Sequence, residues 1–146
     1  TLDGSSAASD VYKRQRLRVA NLLVEHPKIF VTKIENELNT VYTFQTLKLI
    51  QIRCPNVRFV WLMGADNMIQ FDKWMNWKEI VYRVPIGILA RPDHTLAPLK
   101  SKLAKSFSPY RLRANQSRDL GNLKAPYWCY KNLPLLNVSS SQIRAS

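Results

Sequence analysis

The stretch RFVWLMGADNMIQFDKWMNWKEI, residues 58–80, gives the clearest indication of the fold class. It passes from an almost continuous apolar run, Val57 to Met63, through Gly64-Ala65-Asp66-Asn67 into a segment that holds Trp74 and Trp77. A short run of this kind is typical of a strand buried on both faces of a parallel sheet. The sequence therefore predicts a buried strand that ends at a polar turn containing a glycine.

Strands and helices are predicted to alternate on both sides of that stretch. Helical spacing of apolar residues begins at Arg16, and further helices are expected over residues 41–54 and 70–83. Strands are expected from Ile29, over Pro85 to Ala90, and at residues 127–130. A short basic helix is expected within residues 97–106, a loop over residues 107–126, and a loop entering a helix at residues 135–146. This alternation predicts an α/β fold with a parallel sheet.

Residues 1–15 do not resemble the rest of the chain. They include the small, polar run Ser5 to Ser9 and show no apolar period. We therefore expect residues 1–15 to be a non-native or adapter-like extension, and residues 16–146 to form a single partial domain.

Composition points to a phosphate-bearing partner. The formal net charge is +12, and beyond Asp93 nine Lys or Arg residues stand against one acid, Asp119. A basic field of this kind attracts polyanions.

No apolar run approaches the length of a membrane span, so no membrane partner is expected. The two cysteines, Cys54 and Cys129, have no metal-ligand spacing, and free thiols in a cytoplasmic protein are expected.

The turn after the predicted strand carries the first candidate site. Ligands of open parallel sheets bind beyond the carboxyl ends of the strands. Gly64 would let a ligand approach the backbone, and Asp66 could accept hydrogen bonds from a ribose diol. A capping role for Asp66 or Asn67 at the next helix is an equally good interpretation. Trp74 and Trp77 lie three residues apart, a spacing that usually indicates core, although one indole could stack on a flat heterocycle.

A serine run near the end of the chain is the second candidate site. Serines before a helix offer hydroxyl and backbone N–H donors at the positive end of the helix dipole, and an arginine adds a bidentate phosphate donor. The segment Ser139-Ser140-Ser141-Gln142-Ile143-Arg144 combines these groups. By itself the pattern is weak, since serine caps are common. Together with the basic second half it predicts a diphosphate or triphosphate site.

Four segments together resemble the bacterial nicotinate-nucleotide adenylyltransferases. The block Gly64 to Asn67 with Phe71, Trp74 and Trp77 is similar to the family's "GADN…F…W…W" segment. The other three segments are Tyr42 to Leu47, similar to "YTxDTL", Arg91-Pro92-Asp93, similar to "RPG", and Val138 to Arg144, similar to "ISSTxIR". They occur in the family's order, so the resemblance covers residues 16–146.

The resemblance implies a Rossmann-like nucleotidyltransferase fold and a defined reaction. That family transfers AMP from ATP, taken with Mg²⁺, to nicotinate mononucleotide, which gives deamido-NAD and pyrophosphate. By resemblance, Gly64 and Asp66 would approach the ribose of a bound nucleotide, Trp74 would stack on the nicotinate ring with Thr43 nearby, and Arg91 would help to hold that nucleotide. The ATP phosphates would be bound by Ser139, Ser140, Ser141, Ile143 and Arg144.

Several departures from the family pattern bear on these roles. Gln45 stands where the family usually has Asp, Asp93 replaces a usual Gly, Ser141 stands for Thr, and Met75 sits where an aromatic residue or histidine is frequent. The family's opening strand and "GxFDPxHxGH" motif have no match, so neither His26 nor His94 is assigned a catalytic role. The expectation is an incomplete domain that lacks its first strand and its C-terminal end, marginally folded and without adenylyltransferase activity.

Two other functions remain open from the sequence. Another nucleotidyltransferase, such as pantetheine-phosphate adenylyltransferase, would share the serine run but has no reason to keep the tryptophan block. A basic RNA-binding module could stack bases on Tyr127, Trp128 and Tyr130. Because the basic residues are not interleaved with aromatic residues in a known RNA-binding pattern, no nucleic-acid partner is expected.

Overall fold

The computed structural model describes residues 7–24, 26–92 and 96–134. The chain divides into two compact units, Thr1–Asn39 and Thr40–Ser146. The first unit contains helix α1 (Ala7–Leu23) and the short helix α2 (Ile34–Glu37).

Helix α1 begins nine residues before the expected start at Arg16, so that expectation was wrong. Residues 7–15 include Ala, Lys, Arg and Gln, which favour a helix even without an apolar period. One continuous helix therefore crosses the boundary predicted at residues 15 and 16. The non-native origin of the first fifteen residues stays a prediction.

The strand expected from Ile29 is not formed. Residues 29–32 have no regular secondary structure, and Ile29 and Phe30 are 55% and 80% exposed. A β-forming segment becomes a strand only where a neighbouring strand supplies its hydrogen bonds, and no described strand pairs with this one. Local propensity alone therefore gave the wrong element here.

The second unit is built on a parallel sheet, which confirms the α/β class. Among the described residues the sheet has three strands in the order β1-β2-β3: β1 (Trp61–Gly64), β2 (Ile86–Ala90) and β3 (Trp128–Asn132). Trp61 pairs with Ile86, and Ile86 pairs with Trp128. The strands predicted at Pro85–Ala90 and at residues 127–130 are thus confirmed within two residues.

Strand β1 is shorter than the predicted run from Val57 to Met63. The register explains the difference, because residues before Trp61 would face Pro85 and the end of the helix Trp77–Arg83 rather than strand β2. Val57 is accordingly 53% exposed. On the opposite side β1 is the edge of the described sheet, and Leu62 is 59% exposed.

Short helices connect these strands. Helix α3 (Thr43–Arg53) confirms the helix predicted over residues 41–54, and α4 (Ala65–Ile69) follows β1 directly. A 3₁₀ turn (Phe71–Lys73) precedes α5 (Trp77–Arg83), and a second 3₁₀ turn (Ala97–Lys100) precedes α6 (Lys102–Ser106). Ser101 caps α6, since its hydroxyl accepts the Ala104 N–H at 3.3 Å. The predicted loop contains 3₁₀ segments at Ser108–Tyr110 and Ala114–Asn122.

The core lies where α5, the turn before it and α6 cover the sheet. Ile86 and Ile88 of β2 are fully buried, as is Trp128 at the start of β3. Phe71 and Ile80 are fully buried against the same cluster. The indole Nε1 of Trp128 donates to a backbone carbonyl, which satisfies its one polar group. This packing fixes the two segments, α3 with its preceding loop and the tryptophan segment, that form the candidate site.

Candidate functional site

The tryptophan segment is not the continuous helix that the spacing predicted. Asn76 adopts a left-handed conformation with φ of 52°, which asparagine tolerates better than most residues, and the helix starts only at Trp77. Trp74 is extended, with ψ of 143°. The two indoles therefore do not share a helical face.

Trp74 and Trp77 have different surroundings as a result. The Trp77 ring contacts Phe71, at 6.0 Å between ring centroids, and Phe107, at 6.1 Å, and it is half-buried against the core. The Trp74 ring contacts Phe71 at 5.1 Å and Trp61 at 6.2 Å, in both cases edge to face. Trp74 also borders a cavity, so it can meet a ligand while two aromatic neighbours hold its ring in place.

That cavity has a volume of about 260 Å³. Its walls come from the loop and first residue of α3 on one side, and from the tryptophan segment on the other. The lining residues are Val41, Tyr42, Thr43, Lys73, Trp74, Met75 and Ile80. The volume falls just below the roughly 300 Å³ at which sites for whole small molecules begin, so the cavity suits one ring of a larger ligand.

The structure brings Thr43 and Trp74 together, as expected for two residues of one ring-binding site. The two residues lie thirty-one positions apart in the sequence, and they come together because α3 packs against α5. Met75 lines the same cavity and is 50% exposed, so it contributes a flexible thioether to the wall. The sequence did not indicate a binding role for Lys73 or Val41, because Lys73 has the pattern of an ordinary surface lysine and Val41 was predicted to lie within the helix.

Gln45, which departs from the family's usual Asp, has a structural task. The backbone N–H of Tyr42 donates to Gln45 Oε1 at 3.5 Å, which links the start of α3 to the loop before it. A side-chain amide oxygen supplies the acceptor that a carboxylate would also supply. Thr46 supports the same loop, since its Oγ1 lies 2.6 Å from Thr40 Oγ1.

Gly64, Asp66 and Arg91 form a second group beyond the carboxyl ends of neighbouring strands. Gly64 ends β1 and is in register with Leu89, so Arg91, the residue after β2, follows at the same edge. All three are exposed. They do not line the cavity of Trp74. This edge is where ligands of open parallel sheets are expected.

The capping interpretation of Asp66 finds no support. The residue before α4 is Gly64, and no side-chain capping bond is present there. Nor does the Asp66 carboxylate form an ion pair or hydrogen bond with any residue of the described part of the chain. Asp66 is therefore available to a ligand.

The remaining sequence-predicted groups lie elsewhere. Ser139, Ser140, Ser141, Ile143 and Arg144, proposed for ATP, are outside the described residues, as are Asp93 and His94. His26 is exposed and its Nδ1 accepts the Lys28 backbone N–H at 3.1 Å, an ordinary turn contact. Within residues 7–24, 26–92 and 96–134, no three metal-ligating His, Cys, Asp or Glu side chains come together. In those residues no helix is both long and apolar enough to cross a bilayer.

Base stacking on the aromatic cluster of β3 conflicts with the structure. Trp128 is fully buried, and the Nε1 of its indole donates to the Phe107 carbonyl at 2.8 Å. The Tyr127 ring packs edge to face on Tyr110, with centroids 5.7 Å apart. Trp128 therefore cannot stack on an RNA base from the protein surface. This removes one of the three aromatic residues on which the RNA-binding alternative depends.

Comparison with known proteins identifies the family. The cytidylyltransferase-like family matches residues 11–146. A probable nicotinate-nucleotide adenylyltransferase of Ruegeria sp. (strain TM1040) is 42% identical over 130 residues, which cover 89% of this chain and 69% of that protein. The chain belongs to the nicotinate-nucleotide adenylyltransferase family. The resemblance stated from the motifs is confirmed, and a pantetheine-phosphate enzyme is not supported.

Other members of the family agree. The probable nicotinate-nucleotide adenylyltransferase of Rhizobium meliloti (strain 1021) is 37% identical over 132 residues, which cover 90% of this chain and 70% of that protein. The chain spans 62% of a second Ruegeria relative, from Ruegeria pomeroyi. Among solved structures, the nicotinic acid mononucleotide adenylyltransferase of Plasmodium falciparum, complexed with APC, superposes with a TM-score of 0.54 at 20% identity, covering 92% of this chain and 59% of that one. This likeness confirms the Rossmann-like fold.

Proposed function

We propose that this chain carries the nicotinate-nucleotide site of an adenylyltransferase of NAD biosynthesis. In the reaction, a phosphate oxygen of nicotinate mononucleotide attacks the α-phosphorus of ATP. A new phosphoanhydride bond forms, the bond to the β-phosphate oxygen breaks, and deamido-NAD and pyrophosphate result. The observation that carries the proposal is the cavity between Thr43 and Trp74, in a chain of this family.

The cavity suits the pyridine ring. Trp74 offers a π-face, and its contacts with Phe71 and Trp61 fix the ring before a ligand arrives. Binding to a preorganised wall costs little side-chain entropy. Thr43 adds a hydroxyl that can donate or accept a hydrogen bond.

The strand ends suit the rest of the nucleotide. The Asp66 carboxylate can accept hydrogen bonds from a ribose diol, and Gly64 allows the sugar to lie close to the backbone. Arg91 offers a guanidinium to a phosphate. In this proposal Ser139, Ser140, Ser141, Ile143 and Arg144 hold the ATP phosphates, and Mg²⁺ enters with ATP as part of the substrate. A cytoplasmic location fits an enzyme whose substrates are soluble nucleotides.

A fluorescence titration tests the proposal. Nicotinate mononucleotide is added to the wild-type chain, to Trp74→Leu and to Trp77→Leu, and quenching of the remaining tryptophans is followed. Wild type and Trp77→Leu are expected to bind with similar affinity, because Trp77 packs away from the cavity. Trp74→Leu is expected to bind about tenfold more weakly, in line with the roughly 1–3 kcal/mol measured for stacking of a base on an aromatic ring.

Two results would contradict the proposal. The wild-type chain could fail to bind nicotinate mononucleotide at millimolar concentration while retaining a cooperative unfolding transition. Alternatively, Trp74→Leu could bind as tightly as wild type, which would place the ring elsewhere. Circular dichroism of each variant separates lost binding from lost folding.

A further inference from the structure

The cavity proposed for the pyridine ring has a charge that the reaction does not explain. Lys73, the last residue of the 3₁₀ turn before Trp74, lines it. The other six lining residues are Val41, Tyr42, Thr43, Trp74, Met75 and Ile80, none of which is charged at neutral pH. Among the residues that the structure describes, Lys73 is therefore the one charged residue of this lining, and the lining holds no acid.

Neighbouring acids do not neutralise Lys73. Asp72, the adjacent residue, pairs with Lys102, its Oδ2 lying 3.5 Å from the ammonium. Glu79 of α5 pairs with Arg83 at 3.0 Å. The Lys73 ammonium forms no ion pair or side-chain hydrogen bond with any residue in the described part of the chain. It remains available to a ligand anion.

Nicotinate and nicotinamide mononucleotide differ only at one substituent of the pyridine ring. The first carries a carboxylate and the second a carboxamide of almost the same shape. A cavity of fixed shape cannot distinguish them by size, but a cation can distinguish them by charge. An ammonium forms an ion pair with a short hydrogen bond to the carboxylate, whereas the carboxamide offers it a neutral oxygen without an opposite charge.

We propose that Lys73 is a specificity-determining residue that makes the site prefer the nicotinate nucleotide to its amide. The inference rests on the proposed function and adds the basis of its selectivity. Lys73 would reach the ring carboxylate from the side, while Trp74 holds the ring face. Because Lys73 is exposed and its charge is partly screened by solvent, the expected preference from this residue is about five- to tenfold.

The test compares both nucleotides on four proteins. Nicotinate mononucleotide and nicotinamide mononucleotide are titrated into wild type, Lys73→Met, Lys73→Arg and Lys78→Met, at low and at 0.5 M salt. Lys78 is a matched control, because it is an exposed lysine five residues away whose ammonium lies 5.7 Å from the Trp77 ring centroid, outside the cavity lining.

We expect Lys73→Met to weaken nicotinate mononucleotide about five- to tenfold and to leave nicotinamide mononucleotide unchanged. Lys73→Arg should keep most of the preference, and Lys78→Met should behave as wild type. High salt should reduce the wild-type preference but not that of Lys73→Met.

The outcomes separate the two proposals. If wild type binds both nucleotides equally, or if Lys73→Met weakens both by the same factor, the assignment of Lys73 is wrong while the nucleotide site stands. If Lys73→Met leaves both affinities unchanged, selectivity comes from other groups and the assignment is again wrong. If wild type binds neither nucleotide, the proposed function itself fails, and the inference falls with it.

Discussion

Replacing Phe71 by leucine should reveal how strongly the core supports the candidate site. Phe71 is fully buried, and its ring meets Trp74 at 5.1 Å and Trp77 at 6.0 Å, with interplanar angles of 66° and 70°. Each edge-to-face pair contributes about 0.5–1.5 kcal/mol beyond area burial. The smaller side chain also leaves a cavity that costs roughly 0.5 kcal/mol. Phe71→Leu should therefore lower the free energy of unfolding by about 2–3 kcal/mol.

Urea denaturation followed by tryptophan fluorescence measures this loss. All four tryptophans of the chain lie in the unit from Thr40 to Ser146, so the signal reports on the unit that contains Phe71. A double-mutant cycle with Trp74→Leu isolates the pair contact from the cavity term. The coupling free energy should be about 0.5–1.5 kcal/mol. Phe30→Leu makes the same chemical change at a side chain that is 80% exposed, and should alter stability by less than about 0.5 kcal/mol.

Either of two measurements would contradict this prediction. One is a Phe71→Leu protein whose urea midpoint and slope match those of wild type. The other is additivity of Phe71→Leu and Trp74→Leu, which would mean that the ring contact contributes nothing. A changed slope would instead show that the unfolded state or two-state behaviour had changed, so both parameters are needed.

Three further predictions concern Trp128 and Cys129 of strand β3. Trp128→Phe leaves the Phe107 carbonyl without its buried donor, so it should cost about 2 kcal/mol and lower the Tm by roughly 10 °C in a thermal scan; an unchanged Tm would contradict this. Burial raises the pKa of the Cys129 thiol above its ordinary value of 9.0, outweighing the opposing effects of a nearby lysine and a backbone hydrogen bond, whereas Cys54 is exposed. Since the raised pKa favours the neutral thiol, a thiol-labelling reagent at pH 8 should modify Cys54 much faster than Cys129, and equal rates would be evidence against it. The same raised pKa stabilises the fold below pH 9.0, and that contribution should disappear as pH rises through the folded-state value.

The strongly patterned elements could be predicted from the sequence. The helix of Thr43–Arg53 has an apolar side at helical spacing and ends before Pro55, and the strand of Ile86–Ala90 is an uninterrupted apolar segment. Both patterns agree with the burial that the fold gives them. The strand expected from Ile29 failed because its β-forming residues have no described partner strand. Strand pairing depends on residues far apart in the sequence, so a short sequence segment does not reveal it.

The candidate site was predictable only in part. Thr43 and Trp74 came from the family resemblance, and the structure places both at one cavity. Lys73 could not be selected, because nothing in its neighbours indicates that Asp72 would pair with the distant Lys102 and leave Lys73 available. A lysine can be proposed as a ligand-binding residue only when its possible ion-pair partners are known. Here the partner of Asp72 lies thirty residues away and is determined by the fold.

The conformation of Asn76 explains why Trp74 borders the cavity and Trp77 does not. Three-residue spacing would place both indoles on one side of a helix, where the same neighbours would bury both. The left-handed conformation of Asn76 prevents this arrangement, because the helix begins only at Trp77 and Trp74 has an extended backbone. Trp77 then packs against Phe71 and Phe107, whereas Trp74 packs against Phe71 and Trp61 and borders the cavity. A single backbone break thus converts a core-like sequence pattern into a rigid aromatic surface that a ligand can reach.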